Sequence, residues 1–507
     1  MENNLRLELS LPSRKECCTV VPRCIKPVEP LSSNQKVAMA DMKWVIQVNE
    51  ELSKMEGLTT EKEHWSKGSI YKLPVSITDI NKKAYKPQVA TFGPYHFDHL
   101  NTTEVHKHRA LLHFLKRCGK PFELFVNALT EVVQDLKDSY DQLDPGWKDD
   151  TARFLQLMIL DGCFMLEVVR IASNILDDYA LNDPVFSNHG KLHIIPYIKR
   201  DMLMIENQLP MLVLNKLVEV ESNKDELSVT RLLLKFYYSG TSASNMGKCL
   251  HVLDVYRKSL LQSEPQFKTG HRPPVPVNRH DVIIWSATEL NEAGIRFKKS
   301  RTGSLKDISF SGGILRLPVI IVDDTTESMF LNLIAFERFH VGAGNEVTSY
   351  IFFMDNIIDN ARDVALLHSK GIVQNALGSD KAVANLFNSL SKDITLDPES
   401  SLDAVHKKVY HYCRKPWNEW RANLIHTYFR NPWAVISLIA GVFLFVLTIA
   451  QTGYSIIPYY YPNDSPPTCT CLPVPPPHVA SSNHACSTSP SKFILPILIS
   501  VGWMLTK

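Results

Sequence analysis

Between Arg430 and Asp464 the sequence has no Asp, Glu, Lys or Arg. A helix in that gap has no charged face to turn toward water, which excludes an ordinary surface helix. Other absences narrow the function. The opening residues, MENNLRLELSLPSRKECC, contain no apolar run, so no secretory signal is expected there. There is no G-x-S-x-G and no G-x-x-x-x-G-K-[ST], which removes the two most legible nucleophile and phosphate-loop signatures. A large excess of charge of one sign is also missing. The net charge of +2 argues against a surface that neutralises many phosphates, so no nucleic-acid partner is expected. No internal repeat is present.

What fills the charge gap is Trp433 to Ala450, WAVISLIAGVFLFVLTIA. Eleven of these residues are Val, Ile, Leu or Phe. At roughly 0.3–0.6 kcal/mol each they favour insertion by about 3–7 kcal/mol, enough to outweigh Ser437, Gly441 and Thr448. Residues 432–454 therefore read as a transmembrane helix, with Trp433, Ile436, Leu438, Phe443, Leu447 and Ala450 along it. Arg414, Lys415, Arg421 and Arg430 precede the run, and the next basic residue beyond it is Lys492. Positive flanks stay cytoplasmic, so the long N-terminal part is expected in the cytosol of a single-pass protein, at the plasma membrane or an endomembrane.

Beyond the span, residues 455–491 are rich in Pro and Cys. On the outer side two of Cys469, Cys471 and Cys486 could pair, and Asn463 heads a sequon. The Asn101 sequon falls on the cytosolic side. The end, 492–507, carries the apolar run Phe493–Leu505. Thirteen helical residues reach only about 20 Å against the ~30 Å of a bilayer core. The run reads as a short second span, an interfacial segment or a lipid-anchor signal.

The body before the span is expected to be mainly α with a small β element. Residues 1–33 read as a flexible leader and 34–428 as the helical domain, with a sub-boundary near the Pro-rich 265–278. Helices are expected at about Ser33–Lys54, Thr103–Cys118, Phe122–Tyr140, Asp150–Ser173, Ile194–Val220 (kinked or split at Pro210), two within 228–262, Asp281–Ala293, Thr325–Phe339, Glu346–Lys370, and Leu402–Tyr428 as one long amphipathic helix. Ile295–Phe297, Asp307–Phe310 and Gly313–Ile321 read as a small sheet. Cys118, Cys163, Cys249 and Cys413 sit singly in apolar patterns, as reduced thiols do.

Several stretches taken together are similar to a known family. KLPVSI, ATFGPYHFDHL, LQLMILDGCFMLEVVR, KRDMLMIENQLPMLVL, ATELNEAGIRFKKS, the SLKDISFSGG segment through FLNLIAFE, ALLHSKGIVQNALGSDKAVANLFNSL and the WNEWRANLIH segment through IAQTGY run in order from about Ile70 to Tyr454. They resemble the plant family called domain of unknown function 247. The resemblance implies one mainly helical domain, a C-terminal membrane helix and no established enzymatic activity. Family members typically end near Tyr454, where this chain continues.

Two constellations invite chemistry. His96, His99, His106, His108 and His113 include closely spaced pairs of the kind zinc uses, but without a clear common register. Asp161, Glu167, Asp201 and Glu206 lie in apolar surroundings, where two carboxylates could divide acid and base roles. Glu167 with Arg170, Arg200 beside Asp201, and the amides of Asn207 and Gln208 at the Pro210 break point instead to a structural polar network. Asp323–Glu327 resembles a loose cation site but lacks calcium-loop spacing, and serves equally well as a helix cap. The expectation is a non-enzymatic interaction or recognition module with no cofactor, no catalytic or metal residues, and the lipid bilayer and another protein as partners. The competing expectation is an enzyme or metal protein using the buried carboxylates or the His96/His99 region.

Overall fold

The computed structural model describes residues 67–97, 103–176, 178–222, 226–237, 246–262, 285–392, 402–425 and 432–460, with isolated positions at 46, 48–50, 52 and 394. His99, Asn101, the segment 265–278, most of Ser33–Lys54, Asn463, Cys469, Cys471, Cys486 and the 492–507 run lie outside the described residues. Helices of seven residues or more are α1 Glu104–Cys118, α2 Phe122–Thr130, α3 Thr151–Ala172, α4 Ile195–Asp201, α5 Met211–Ser222, α6 Glu226–Tyr237, α7 Val252–Leu261, α8 Thr326–Phe339, α9 Glu346–Ile357, α10 Ala361–Ser369, α11 Asp380–Leu390, α12 Asp403–Cys413, α13 Pro416–Leu424 and α14 Pro432–Tyr460.

The body is organised around α3. Asp150 caps it by accepting the Arg153 N–H at 3.0 Å. From Phe154 to Ile171 only Gln156 faces solvent and Arg170 is half-buried. Gly162 lets α5 approach: a Cβ there would lie 2.6 Å from Leu217 Cδ1. α1 packs along α3 and ends on Gly119, whose left-handed conformation closes the last turn onto Leu115. One apolar core runs from Ile70 to Cys413, so residues on both sides of 265–278 share it. Cys163, Cys249 and Cys413 are buried free thiols and Cys118 is half-buried.

The β element is small, as expected, but divided. β1 Arg296–Lys299 pairs parallel with β3 Ile314–Leu317, which pairs antiparallel with β2 Ser309–Ser311. The Gly313–Ile321 run breaks at Pro318, which has no N–H for a ladder, and continues as β4 Ile320–Val322 in a second sheet with β5 Val373–Asn375.

Three long helical expectations are each split. Phe122–Tyr140 stops at Thr130 and resumes at Val133. Glu346–Lys370 breaks before Asn360, which forms a capping box with Asp363 and starts α10 afresh. Leu402–Tyr428 breaks between Cys413 and Pro416, where Pro416 takes the first-turn position it tolerates and opens α13.

α14 is a unit of its own. Its segment Trp433–Ile457 is 25 residues long, with mean hydropathy 2.5, long and apolar enough to cross a membrane. Ser437, Thr448, Thr452 and Ser455 each donate a hydroxyl to the carbonyl four residues back at 2.8–2.9 Å. The helix thereby satisfies these polar side chains internally.

Candidate functional site: a buried polar seam

Residues 67–97 form little regular structure, yet much of this strap is buried. Its backbone N–H groups need partners other than water. Ser69 and Ile70 find the Ser139 carbonyl, and several others find side chains of residues 201–208, the stretch where the Ile194–Val220 helix was expected to continue. α4 stops at Asp201, nine residues before Pro210.

Asp201 accepts the N–H groups of Gln88, Val89 and Ala90 at 2.7–3.0 Å, with Arg200 beside it at 3.2 Å. Asn207 accepts from Phe92 N–H at 2.7 Å and donates to the carbonyls of Ala90 and Asp201. Gln208 donates to Met202 and Met204 carbonyls at 2.7 Å and accepts from Leu253 N–H. Glu206 accepts Leu73 N–H at 2.6 Å and meets His96 Nε2 at 3.3 Å. Asn332 on α8 ties Ile205 N–H to the Ala84 carbonyl. An amide or carboxylate that serves extended backbone in this way replaces helical bonds, so the 202–210 segment loses its helix to the strap.

Asp161 completes the seam from α3. It accepts Gly93 N–H and pairs with Lys107, both at 2.8 Å; Lys107 also reaches Glu104. Gly93 sits at φ +70°, and a Cβ on it would be 2.8 Å from the Gln208 carbonyl oxygen. Burial pushes the Asp161 carboxyl up, opposed by Lys107 and the Gly93 N–H. Burial works against the Lys107 charge too, but Asp161 and Glu104 outweigh it and its pKa is raised. Burial also raises Asp201 despite its three N–H donors. Perturbed carboxyls are a common mark of catalytic sites. Here Asp161, Glu167 and Asp201 are wholly shielded from solvent, with their oxygens already engaged.

Glu167 belongs to a separate cluster. Arg117 and Arg170 hold it, Tyr179 donates to it at 2.8 Å, and Arg170 also binds Glu221. Burial raises its carboxyl, opposed first by Arg117. The four nominated acids therefore do not converge. Asp161, Asp201 and Glu206 grip different stretches of the strap, and Glu167 fastens α1 to α3. Asp323 accepts Thr325 N–H and the hydroxyls of Thr325 and Thr326 in a turn just ahead of α8, whose N-cap Thr325 makes no side-chain cap bond.

The histidines are dispersed as well. His96 lies against Glu206, His108 faces solvent, and His113 stacks on Tyr179 at 4.1 Å between ring centres. Among the described residues no group of three or more His, Cys, Asp or Glu is arranged for a metal ion. Sequence reasoning passed over His251. It caps α7, its Nδ1 accepting Asp254 N–H, so its Nε2 carries the proton and donates to the Ser69 carbonyl at 3.1 Å. Burial pushes its pKa down to about 4. The signal was present in HVLD, a polar cap residue with an acid three positions on, but histidine is not the usual side chain for it. The Arg257 contacts to Glu337 and Glu346 were missed for a different reason: 80 and 89 residues separate the partners.

A cleft lined by Ile77, Tyr85, Leu331, Ile334, Arg338 and Leu390 has a volume of about 30 Å³, room for one water. Small-molecule sites run to roughly 300–1,000 Å³.

Fold and seam define a mainly helical body locked by buried polar side chains, with a separate long apolar helix near its C-terminus. The chain belongs to the family domain of unknown function 247, described as plant protein of unknown function, whose pattern matches residues 70–447. It is 31% identical over 422 residues to UPF0481 protein At3g47200 of Arabidopsis thaliana, covering 77% of this chain and 86% of that protein. It is 22% identical over 529 residues to a second Arabidopsis thaliana protein, UPF0481 protein At3g02645, covering 84% and 97%. No solved structure matches the chain.

Proposed function

We propose that this protein is a membrane-anchored, non-enzymatic recognition or signalling module, with α14 as a single transmembrane span and the helical body in the cytosol. The observation that carries the anchor is the uncharged 25-residue stretch Trp433–Ile457. At 1.5 Å per residue it reaches about 37 Å, more than the ~30 Å hydrocarbon core. Trp433 at its start and Tyr454, Tyr459 and Tyr460 at its end suit the two interfaces, where such rings concentrate. Arg414, Lys415, Arg421 and Arg430 before it favour a cytosolic body. The non-enzymatic reading is supported by the seam, whose carboxylates are occupied by backbone amides and cations.

Alkaline carbonate extraction should leave the full chain in the membrane pellet, and protease outside sealed cells should leave the body intact. Release by carbonate, or removal of the body from outside, would overturn the anchor or its orientation. The competing enzyme reading has one observation on its side, the contact between His96 and Glu206. If Glu206→Gln abolished turnover of a metabolite while the chain stayed folded, that reading would replace ours.

A further inference from the structure

α13 is packed the wrong way round for a soluble helix. Its inward side presents Asn418, buried and donating to the Tyr412 carbonyl at 2.7 Å, and the half-buried Ala422. Its outward side presents Trp417 at 77% exposure and Trp420 at 75%, followed by Leu424 at 48%. These three fall at i, i+3 and i+7, one stripe of a helix. A helix that lies on a globular core turns its large apolar residues inward. This one holds the body by small and polar groups and offers its apolar face elsewhere.

We infer that the Trp417–Trp420–Leu424 face of α13 lies in the headgroup region of the same bilayer that α14 crosses, so that the body is seated on the membrane and not merely leashed to it. The inference rests on the anchored reading proposed above. Three observations select lipid over a protein as the occupant. The first is chain length: residues 425–431 are all that separate Leu424 from Pro432, and seven residues extend at most about 25 Å. The second is residue type. Tryptophan is the side chain that collects at the membrane–water boundary, its ring amphipathic enough for the headgroup layer, and Trp433 begins the span itself. The third is charge. Between 414 and 430 there are four basic residues, Arg414, Lys415, Arg421 and Arg430, against the single acid Glu419. A short helix with an aromatic face and basic flanks suits an interface carrying anionic lipid, with the apolar side roughly 5–10 Å into the headgroup boundary.

The test uses the full chain reconstituted in phosphatidylcholine vesicles that contain phosphatidylserine, the phosphatidylcholine brominated on its upper acyl carbons. Tryptophan emission is compared between the native protein and W417F/W420F, a pair of exposed replacements that keep an apolar ring and leave the fold alone. The difference between the two spectra isolates the two indoles. It should be blue-shifted, lose most of its intensity to the brominated lipid, and be nearly indifferent to iodide in the water. Quenching by iodide and not by bromine would overturn the inference. So would shielding from both, which would mean that protein covers the face. Carbonate extraction of the same vesicles separates this failure from that of the anchor. A carbonate-resistant chain with iodide-quenched indoles refutes the seated body alone, and a carbonate-released chain refutes the anchor.

Discussion

The strap at residues 67–97 and the helix α13 depart from the usual partition of side chains in opposite directions. Under the strap, Asp161, Asp201, Asn207 and Gln208 are fully buried. On α13, two tryptophans stand in the open. The two departures differ in how they are resolved. Every buried group of the seam has named partners within the body, so its energetics are closed and it reports on stability. The tryptophans have no apolar cover among the described residues, so they report on surroundings. A buried polar residue is thus best questioned about folding, and an exposed aromatic pair about what the molecule rests against.

The sharpest way to break this contrast is to remove a seam carboxylate. Asp201→Ala strips three backbone N–H groups of their acceptor and leaves Arg200 without its ion partner. Breaking a buried, paired charge costs about 3–5 kcal/mol, and a large drop in the urea midpoint of the detergent-solubilised chain is expected. A drop of under about 1 kcal/mol would mean that the strap is not held by the seam.

Next in size is a pH effect. His251 titrates near 6.5 when exposed and at about 4 when folded. Between those values the unfolded chain takes up a proton that the folded chain refuses. Stability is therefore fully present above pH 6.5 and is lost progressively as pH falls toward 4, by about 3 kcal/mol. His406, also pushed by burial to about 4, adds in the same direction. Asp161, Glu167 and Asp201, whose carboxyls burial raises, act in the opposite direction, so the His251 share is read as the difference between the native chain and His251→Asn, which can still cap α7, in the fall of the urea midpoint from pH 7 to pH 4.5.

Gly93→Ala comes third. It places a Cβ on a residue at φ +70° and against the Gln208 carbonyl. The left-handed conformation alone costs roughly 1–2 kcal/mol, and thermal unfolding should register at least that. The smallest effect belongs to the other side of the comparison. Replacing Trp417 and Trp420 by Ser should leave the urea midpoint within about 0.5 kcal/mol of the native value, as substitutions at exposed sites usually do. A larger loss would show that the two rings pack on the body after all, and the contrast would dissolve.

Local pattern carried the reading a long way in some places and failed in others for a recognisable reason. The near-total apolarity of 154–171 announced α3, and Asp150 announced its start. Pro210 marked a real break between α4 and α5. Its extent was not legible, because the helix yields to strap amides more than 100 residues earlier in the chain. Of the four acids, Asp161, Glu167 and Asp201 are buried and Glu206 is half-buried, and they fall into more than one cluster; the network expected around Asn207 and Gln208 is there. That Asp161 would serve Gly93 and Lys107, while Glu206 served Leu73, depends on pairings that no local period encodes.

Length and hydropathy by themselves marked α14 as one long apolar helix, since an uncharged run of this kind needs no partner elsewhere in the chain to satisfy its backbone. Apolar periodicity likewise announced a helical body with a little sheet. Tertiary structure alone decided where α4 ends, which carboxylate meets which backbone, and that α13 turns its tryptophans outward. The physical reason is the same in each case: a polar group taken out of water is satisfied by whatever the fold brings within 3 Å of it, and that neighbour is set by packing, not by position along the chain.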